Sequence, residues 1–234
     1  MRKLSLILVT VVFMAGCSYR NAVTFEGNIS GCDGCYLTVS RTCAGETQYT
    51  DSVQVRGGRF SLDIPAGKNG PDFFCISLRK DNAFTTLADK GEKVHIEADA
   101  ASLARTCRVT GSRDAELMCQ LDLQLACFSD STDHLMELYY YYYYNDTMRA
   151  KIEEVYMTIK ANHAAFLRNF IVQNSESLSS LAALYQRYNR GVFLPEEENL
   201  ELASELCAKL KSQYPNNGNV RWLEERLARH APAK

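Results

Sequence analysis

The sequence predicts an α+β protein: an antiparallel β-sandwich of about seven or eight strands, followed by an α-helical domain. Three observations carry this. Residues 22–110 alternate apolar and polar side chains with a period of two. Pairs such as Asp33-Gly34 and Gly57-Gly58 punctuate that stretch with turn chemistry. From Ser112 onward the apolar residues recur at helical spacing instead. Strands gathered in one half and helices in the other are the pattern of α+β folds and β-sandwiches with appended helices.

The strands follow in order. Val53 and Val55 alternate with polar residues, Gly57-Gly58 supplies positive φ angles, and Phe60, Leu62 and Ile64 resume the alternation. That reads as a hairpin with one buried face. Residues 24–30 and 35–40 flank Asp33-Gly34 as a second hairpin. Phe74, Ile76 and Leu78 mark a further strand. Thr85, Thr86 and Leu87 lead through Asp89-Lys90-Gly91 to Val94, Ile96 and Ala98, a third hairpin. Cys107 and Val109 close the set before Gly111.

The helices come next. Residues 112–116 offer good capping chemistry, and Leu117, Leu121 and Leu125 follow at helical spacing. Residues 149–170 place Ile152, Val155, Ile159, Phe166 and Phe170 on one stripe. Residues 175–189, with Leu178, Leu181 and Leu184, predict a third helix. Pro195 and Glu196, Glu197 and Glu198 form a helix start, with carboxylates at the positive end of the macrodipole. Leu202, Leu206 and Leu210 carry its apolar face. Pro215 and Gly218 break it, and residues 220–229 form a last short helix.

The start of the chain carries an address. Met1-Arg2-Lys3 is followed by an apolar run over residues 4–13, too short to span a bilayer, which needs about 20 residues. Met14-Ala15-Gly16-Cys17 then ends it in small residues and a cysteine. The whole resembles a bacterial lipoprotein signal peptide with its lipobox. The resemblance implies that residues 1–16 are removed and that Cys17 is lipidated. Residues 17–24 then form a tether, 25–111 the β-sandwich module and 112–234 the helical domain. No later stretch is long and apolar enough to span, so lipid is the expected membrane attachment. Each buried acyl methylene contributes about 0.8 kcal/mol. Ser18 stands where an Asp typically retains lipoproteins in the inner membrane, which points to the outer membrane. Residues 18–24 lack an acidic export run, which points to the periplasmic face of the cell envelope.

The chain of 234 residues has 26 basic and 28 acidic side chains, and losing Arg2 and Lys3 makes it more acidic still. That balance gives no electrostatic case for nucleic acid. Of nine cysteines, Cys17 is assigned to lipid. The eight others, Cys32, Cys35, Cys43, Cys75, Cys107, Cys119, Cys127 and Cys207, allow 105 pairings. Cys119 and Cys127 lie on one helical pattern about 12 Å apart, too far to bond each other. Some of the eight are also readable as small buried apolar residues.

Cys32-Asp33-Gly34-Cys35 is the one C-x-x-C. A redox centre needs a thiolate held by positive charge, typically at a helix N-terminus. Here the pair brackets a turn beside Asp33, which disfavours a thiolate. A disulfide across the turn, two free thiols and a redox pair are the readings. Cys43 adds a third sulfur, but without a second close pair or a neighbouring histidine no metal or other cofactor is predicted. His95, His134, His163 and His230 are scattered and form no triad pattern. The glycine pairs lack the strand-to-helix context of a phosphate-binding loop.

The tyrosine run from Tyr139 to Tyr144 cannot face one core on a helix. Tyr139, Tyr142 and Tyr143 share a face with Leu135 and are expected to be buried. Tyr140, Tyr141 and Tyr144 are the freer set. They are the candidate interaction surface for a partner, a glycan or the membrane interface.

Three segments resemble a known lipoprotein module. Asp51-Ser52-Val53 with Gly58-Arg59-Phe60 is similar to the hairpin of a β-module of unassigned function. That module precedes a thioredoxin-like domain in thiol:disulfide interchange lipoproteins of Gram-negative bacteria. Val109-Thr110-Gly111-Ser112 resembles its exit into helices. Phe170-Ile171 and Asn174, with Ser177 and Ser180, resemble the start of the helical linker. The relatives continue into a Trp-Cys-x-x-Cys domain, whereas here Trp222 has no neighbouring cysteine and the sequence stops at Lys234. The resemblance therefore implies no catalytic residue. The expected function is a non-catalytic, lipid-anchored periplasmic binding or scaffold module. The alternative is an accessory of thiol–disulfide exchange, partnered by a separate thioredoxin-like protein.

Overall fold

The alternation of residues 22–110 buries one side of most strands in a shared interior, although residues 46–54 bury no side chain fully. The computed structural model describes residues 21–230. It holds ten strands, in sheets dominated by antiparallel pairing, and six α-helices among the described residues. The strands are β1 (Ala22–Ser30), β2 (Tyr36–Cys43), β3 (Glu46–Gln54), β4 (Arg59–Pro65), β5 (Asp72–Arg79), β6 (Asn82–Ala88), β7 (Lys93–Asp99) and β8 (Arg108–Thr110), with a short ribbon of β9 (Arg187–Tyr188) and β10 (Gly191–Val192). One four-stranded sheet runs β4-β1-β7-β8 and the other β3-β2-β5-β6. Phe25 and Ile29 from the first sheet join Leu37, Val39, Phe74 and Ile76 from the second in one buried core. The Phe25 and Phe74 rings meet at 5.0 Å. Burying a side chain of this size is worth about 1.5–3 kcal/mol.

The turns lie where the glycine signals place them, but the strands they join do not pair as hairpins. β1 pairs with β4 and, in parallel, with β7, whereas β2 pairs with β3 and β5. The Gly57-Gly58 turn, with φ of 57° and 77°, therefore passes the chain from β3 in one sheet to β4 in the other. A single bridge between Arg56 and Arg59 is all that its flanks share. The turn at Asp33-Gly34 and the turn at Asp89-Gly91 make the same crossing. The reason is that alternation fixes which face is buried, not which edge is bonded; either sheet satisfies it. The real hairpins are β2–β3, turning at Ala44-Gly45, and β5–β6, turning at Lys80-Asp81. At Gly27 in β1 a Cβ would overlap the Ile96 carbonyl of β7, so the parallel pairing requires glycine there.

The helices are α1 (Leu103–Thr106), α2 (Arg113–Tyr141), α3 (Asp146–Gln173), α4 (Ser179–Leu184), α5 (Leu200–Gln213) and α6 (Gly218–Ala228). Ser112 caps α2 by accepting from the Ala115 N–H, and Asn145 caps α3 by accepting from the Met148 N–H at 3.1 Å. The expected helix over 175–189 is cut to α4, because the chain turns at Tyr185 into the β9–β10 ribbon. On the α3 stripe Ile152 and Phe170 are buried but Val155 is exposed. The Glu196–Glu198 segment is a 3₁₀ turn rather than the first turn of α5. Glu196 is instead clasped by the Arg226 guanidinium of α6 at 2.7–2.9 Å. Burial pushes the Glu196 carboxyl up, but Arg226 outweighs it and holds the group below its usual range.

α2 links the two cores. Ala115 and Cys119 pack into the core shared by the sheets, while Met118, Leu121 and Phe128 pack among the other helices. Leu87 of β6 belongs to that helical core. At the other end Asn217 donates to the Pro71 carbonyl at 2.9 Å, and the Ala44 N–H donates to Asn219 at 2.7 Å. Ala22 already begins β1 and Val23 is fully buried, so residues 22–24, expected in the tether, belong to the sheet. Residues 1–16 and Cys17 lie outside the described residues. No helix among the described residues is long and apolar enough to cross a membrane.

Candidate functional site

α2, with 29 residues, and α3, with 28, are each about 42–44 Å long at 1.5 Å per residue. Their root is well packed. Phe128 of α2 lies 4.9–5.2 Å from the rings of His163, Tyr188 and Phe193. His163 is buried with its Nε2 2.7 Å from Gln186 Oε1. Burial lowers the pKa of that imidazole, so it is neutral at pH 7 and its ring works as an aromatic wall.

Beyond this cluster the two helices are covered chiefly by each other and by the β9–β10 ribbon. Distal to Phe128, Thr132 of α2 and Ile152 of α3 are buried. Between them opens a groove of about 380 Å³, lined by Leu135, Met136 and Tyr139 of α2, Ile152 and Tyr156 of α3, and Tyr188 of the ribbon. Ligand clefts run from roughly 300 to 1,000 Å³, so the groove has room for one or two large side chains. Asn189, at φ 53°, turns the β9–β10 ribbon and forms part of the groove rim.

The tyrosine run caps the arm. Arg149 stacks its guanidinium over Tyr139 at 5.7 Å and over Tyr143 at 5.8 Å and pairs with Asp146. Tyr140, Tyr141 and Tyr144 are exposed, Tyr144 at 97% and Tyr141 at 79%. Tyr139 and Tyr142, expected to be buried, are only partly covered. Tyr143 departs from expectation: it is 53% exposed, because the helix ends at Tyr141 and the turn swings Tyr143 away from the Leu135 face. Met136 and Met157 extend the exposed apolar surface of the arm. The groove itself escaped the sequence reading. Its signal was available: Thr132, Leu135, Met136 and Tyr139 share a face of one helix, and Ile152 and Tyr156 share a face of the next.

The cysteines divide differently. Cys32 and Cys35 form a disulfide with Cα atoms 5.8 Å apart. Their turn is locked to the β3–β4 crossing by Gly34 N–H to Val55 O at 2.8 Å and Gly57 N–H to Asp33 Oδ1 at 2.8 Å. It follows β1 and precedes β2, so no helix N-terminus is built from it. Cys43 stands apart, beside Gly218 at the start of α6. Burial pushes the Cys43, Cys75 and Cys207 thiols up. A pair the sequence did not bring together, Cys107 and Cys119, meets sulfur to sulfur at 3.4 Å. Among the described residues no group of three or more metal-ligating side chains forms a site.

No family model, curated protein or solved structure matches this chain.

Proposed function

We propose that the protein is a lipid-anchored binding module of the bacterial periplasm. The β-sheets and the helical root form its rigid base, and the α2–α3 arm is its recognition element. We read the two four-stranded sheets with their common core as the layers of a β-sandwich. The observation that carries the reading is the open apolar groove beneath exposed tyrosines on an arm that its own fold leaves uncovered. Large apolar surface left open in this way marks interaction sites. Tyrosine suits the role because it offers wide contact area, a hydroxyl and few rotamers to freeze. The chemistry fits a protein partner that inserts an apolar side chain between the helices.

Two experiments test the proposal in cells. Replacing Cys17 with Ala should abolish fatty-acid labelling and release the chain from the membrane fraction; retention would refute the anchor. A photo-crosslinking residue at Tyr144 should give one discrete protein adduct that Leu135→Glu removes, whereas the same residue at Tyr49 of β3 should not. Equal labelling from both positions, or none from Tyr144, would refute the arm as the binding surface.

A further inference from the structure

The thiols at the other end of α2 form a second site, independent of the arm. α1 ends at Cys107, and the chain then turns into β8, which lays Cys107 against the first turns of α2. Its Sγ lies 3.4 Å from that of Cys119, while the Cys119 thiol donates to the Cys107 carbonyl at 3.2 Å. A disulfide needs about 2.05 Å, so the two sulfurs are neighbours that must draw closer to bond. Both side chains form the floor of an open groove of about 400 Å³. Arg108, Glu116, Gln120 and Gln124 are on its walls and Cys127 is on its rim. The carboxylate of Asp122, one turn along α2 from Cys119, has a buried Oδ2 with no hydrogen-bond partner.

We propose that Cys107 and Cys119 are a dithiol that exchanges with a small peptide disulfide bound in this groove. The walls match such a ligand: a guanidinium for its carboxylate, a carboxylate for its ammonium and two amides for its peptide groups. Cys119 is the attacking sulfur, being the more accessible of the two. The Cys107 thiol donates to its thiolate and lowers the Cys119 pKa against the cost of burial, with the Val109 N–H adding a smaller contribution. The Cys119 thiolate attacks one sulfur of the ligand disulfide. That S–S bond breaks, one ligand thiolate leaves, and it takes up the proton that Cys119 gave up. Cys107 then loses its proton and attacks Cys119 Sγ, which frees the second ligand thiolate to take that proton. The protein dithiol is oxidised to a disulfide, and one ligand disulfide is reduced to two thiols.

Oxidised glutathione added to the folded full-length chain tests this, in a Cys127→Ser background so that the rim thiol does not compete. The proposal predicts a Cys107–Cys119 disulfide by peptide mass mapping, with two glutathione thiols released per chain. Cys107→Ser should stop the reaction with one glutathione on Cys119. If that variant does not fold, the mapping and thiol release of the chain retaining both cysteines decide. Reduced Cys107 and Cys119 after prolonged exposure, or glutathione on other cysteines alone, would overturn the proposal. Hydroxyethyl disulfide, which is neutral and lacks peptide groups, should react about tenfold more slowly, the worth of roughly 1.4 kcal/mol of groove contacts. An equal rate would overturn the peptide specificity.

Discussion

The two ends of α2 differ in what surrounds them, not in helix-forming chemistry. Its first half, Ala115 to Phe128, is wedged between the sheet core and the helical core. Its last turns, Leu135 to Tyr141, touch little besides α3 and the ribbon. Apolar side chains occur in both halves. In the first they hold the fold together; in the second they stay exposed or only partly covered. A hydrophobic residue on an amphipathic helix is therefore not by itself a core residue.

The sharpest way to break this comparison is at its boundary. Phe128→Ala removes the ring that joins α2 to His163, Tyr188 and Phe193 and should cost about 3–5 kcal/mol. In a chain of this size that lowers the unfolding midpoint by roughly 6–20 °C. Urea titration checks the free energy, and a loss under 1 kcal/mol would mean that the root is not packed as described.

Acid and base should separate the same regions. Burial pushes the Asp122 carboxyl up to about 7, with the Cys119 charge adding to it and the Thr85 N–H opposing it. A carboxyl whose pKa is raised on folding contributes stability that is fully present below the unfolded value, near 4. That contribution is lost as pH rises towards 7. At about 1.4 kcal/mol per unit the ceiling is ~4 kcal/mol. Asp122→Asn should flatten the stability profile between pH 4 and 7 and be the more stable form at pH 8. A profile unchanged by the substitution would contradict the buried carboxylate. His163 has the opposite sign. Its pKa is lowered on folding, so its contribution is present above about 6.5 and is lost as pH falls below that. Histidine resonances followed by NMR should show His163 titrating below the ordinary imidazole value of about 6.5. A titration at or above that value would sink the buried assignment.

Much of the β-half could be read from alternation and turn chemistry, because burial on one face and positive φ are local requirements. Strand partners are not local. The three turns read as hairpins cross between sheets, and the same alternating residues serve either arrangement. The Cys107–Cys119 contact was hidden for a related reason. It depends on α1 ending at Cys107 and β8 turning the chain back along α2, a tertiary event with no spacing signature. Glu196 looked like helix-start charge; its partner, Arg226, lies on a helix that packs beside it only in the folded chain. The tyrosine run was visible at once as too aromatic for one face, yet Tyr143 fell on the wrong side because the helix ends at Tyr141.

The smallest expected effect is the most telling. If the arm tip is kept for recognition, its tyrosines contribute little to folding. The direct measurement is thermal unfolding of the chain carrying Tyr140→Ser, Tyr141→Ser and Tyr144→Ser together. Exposed substitutions typically stay within ±0.5 kcal/mol each, so the midpoint should move by no more than about 6 °C, the low end of the range for Phe128→Ala. A fall matching that of Phe128→Ala would show that the tyrosines hold the fold together and would contradict a free recognition tip.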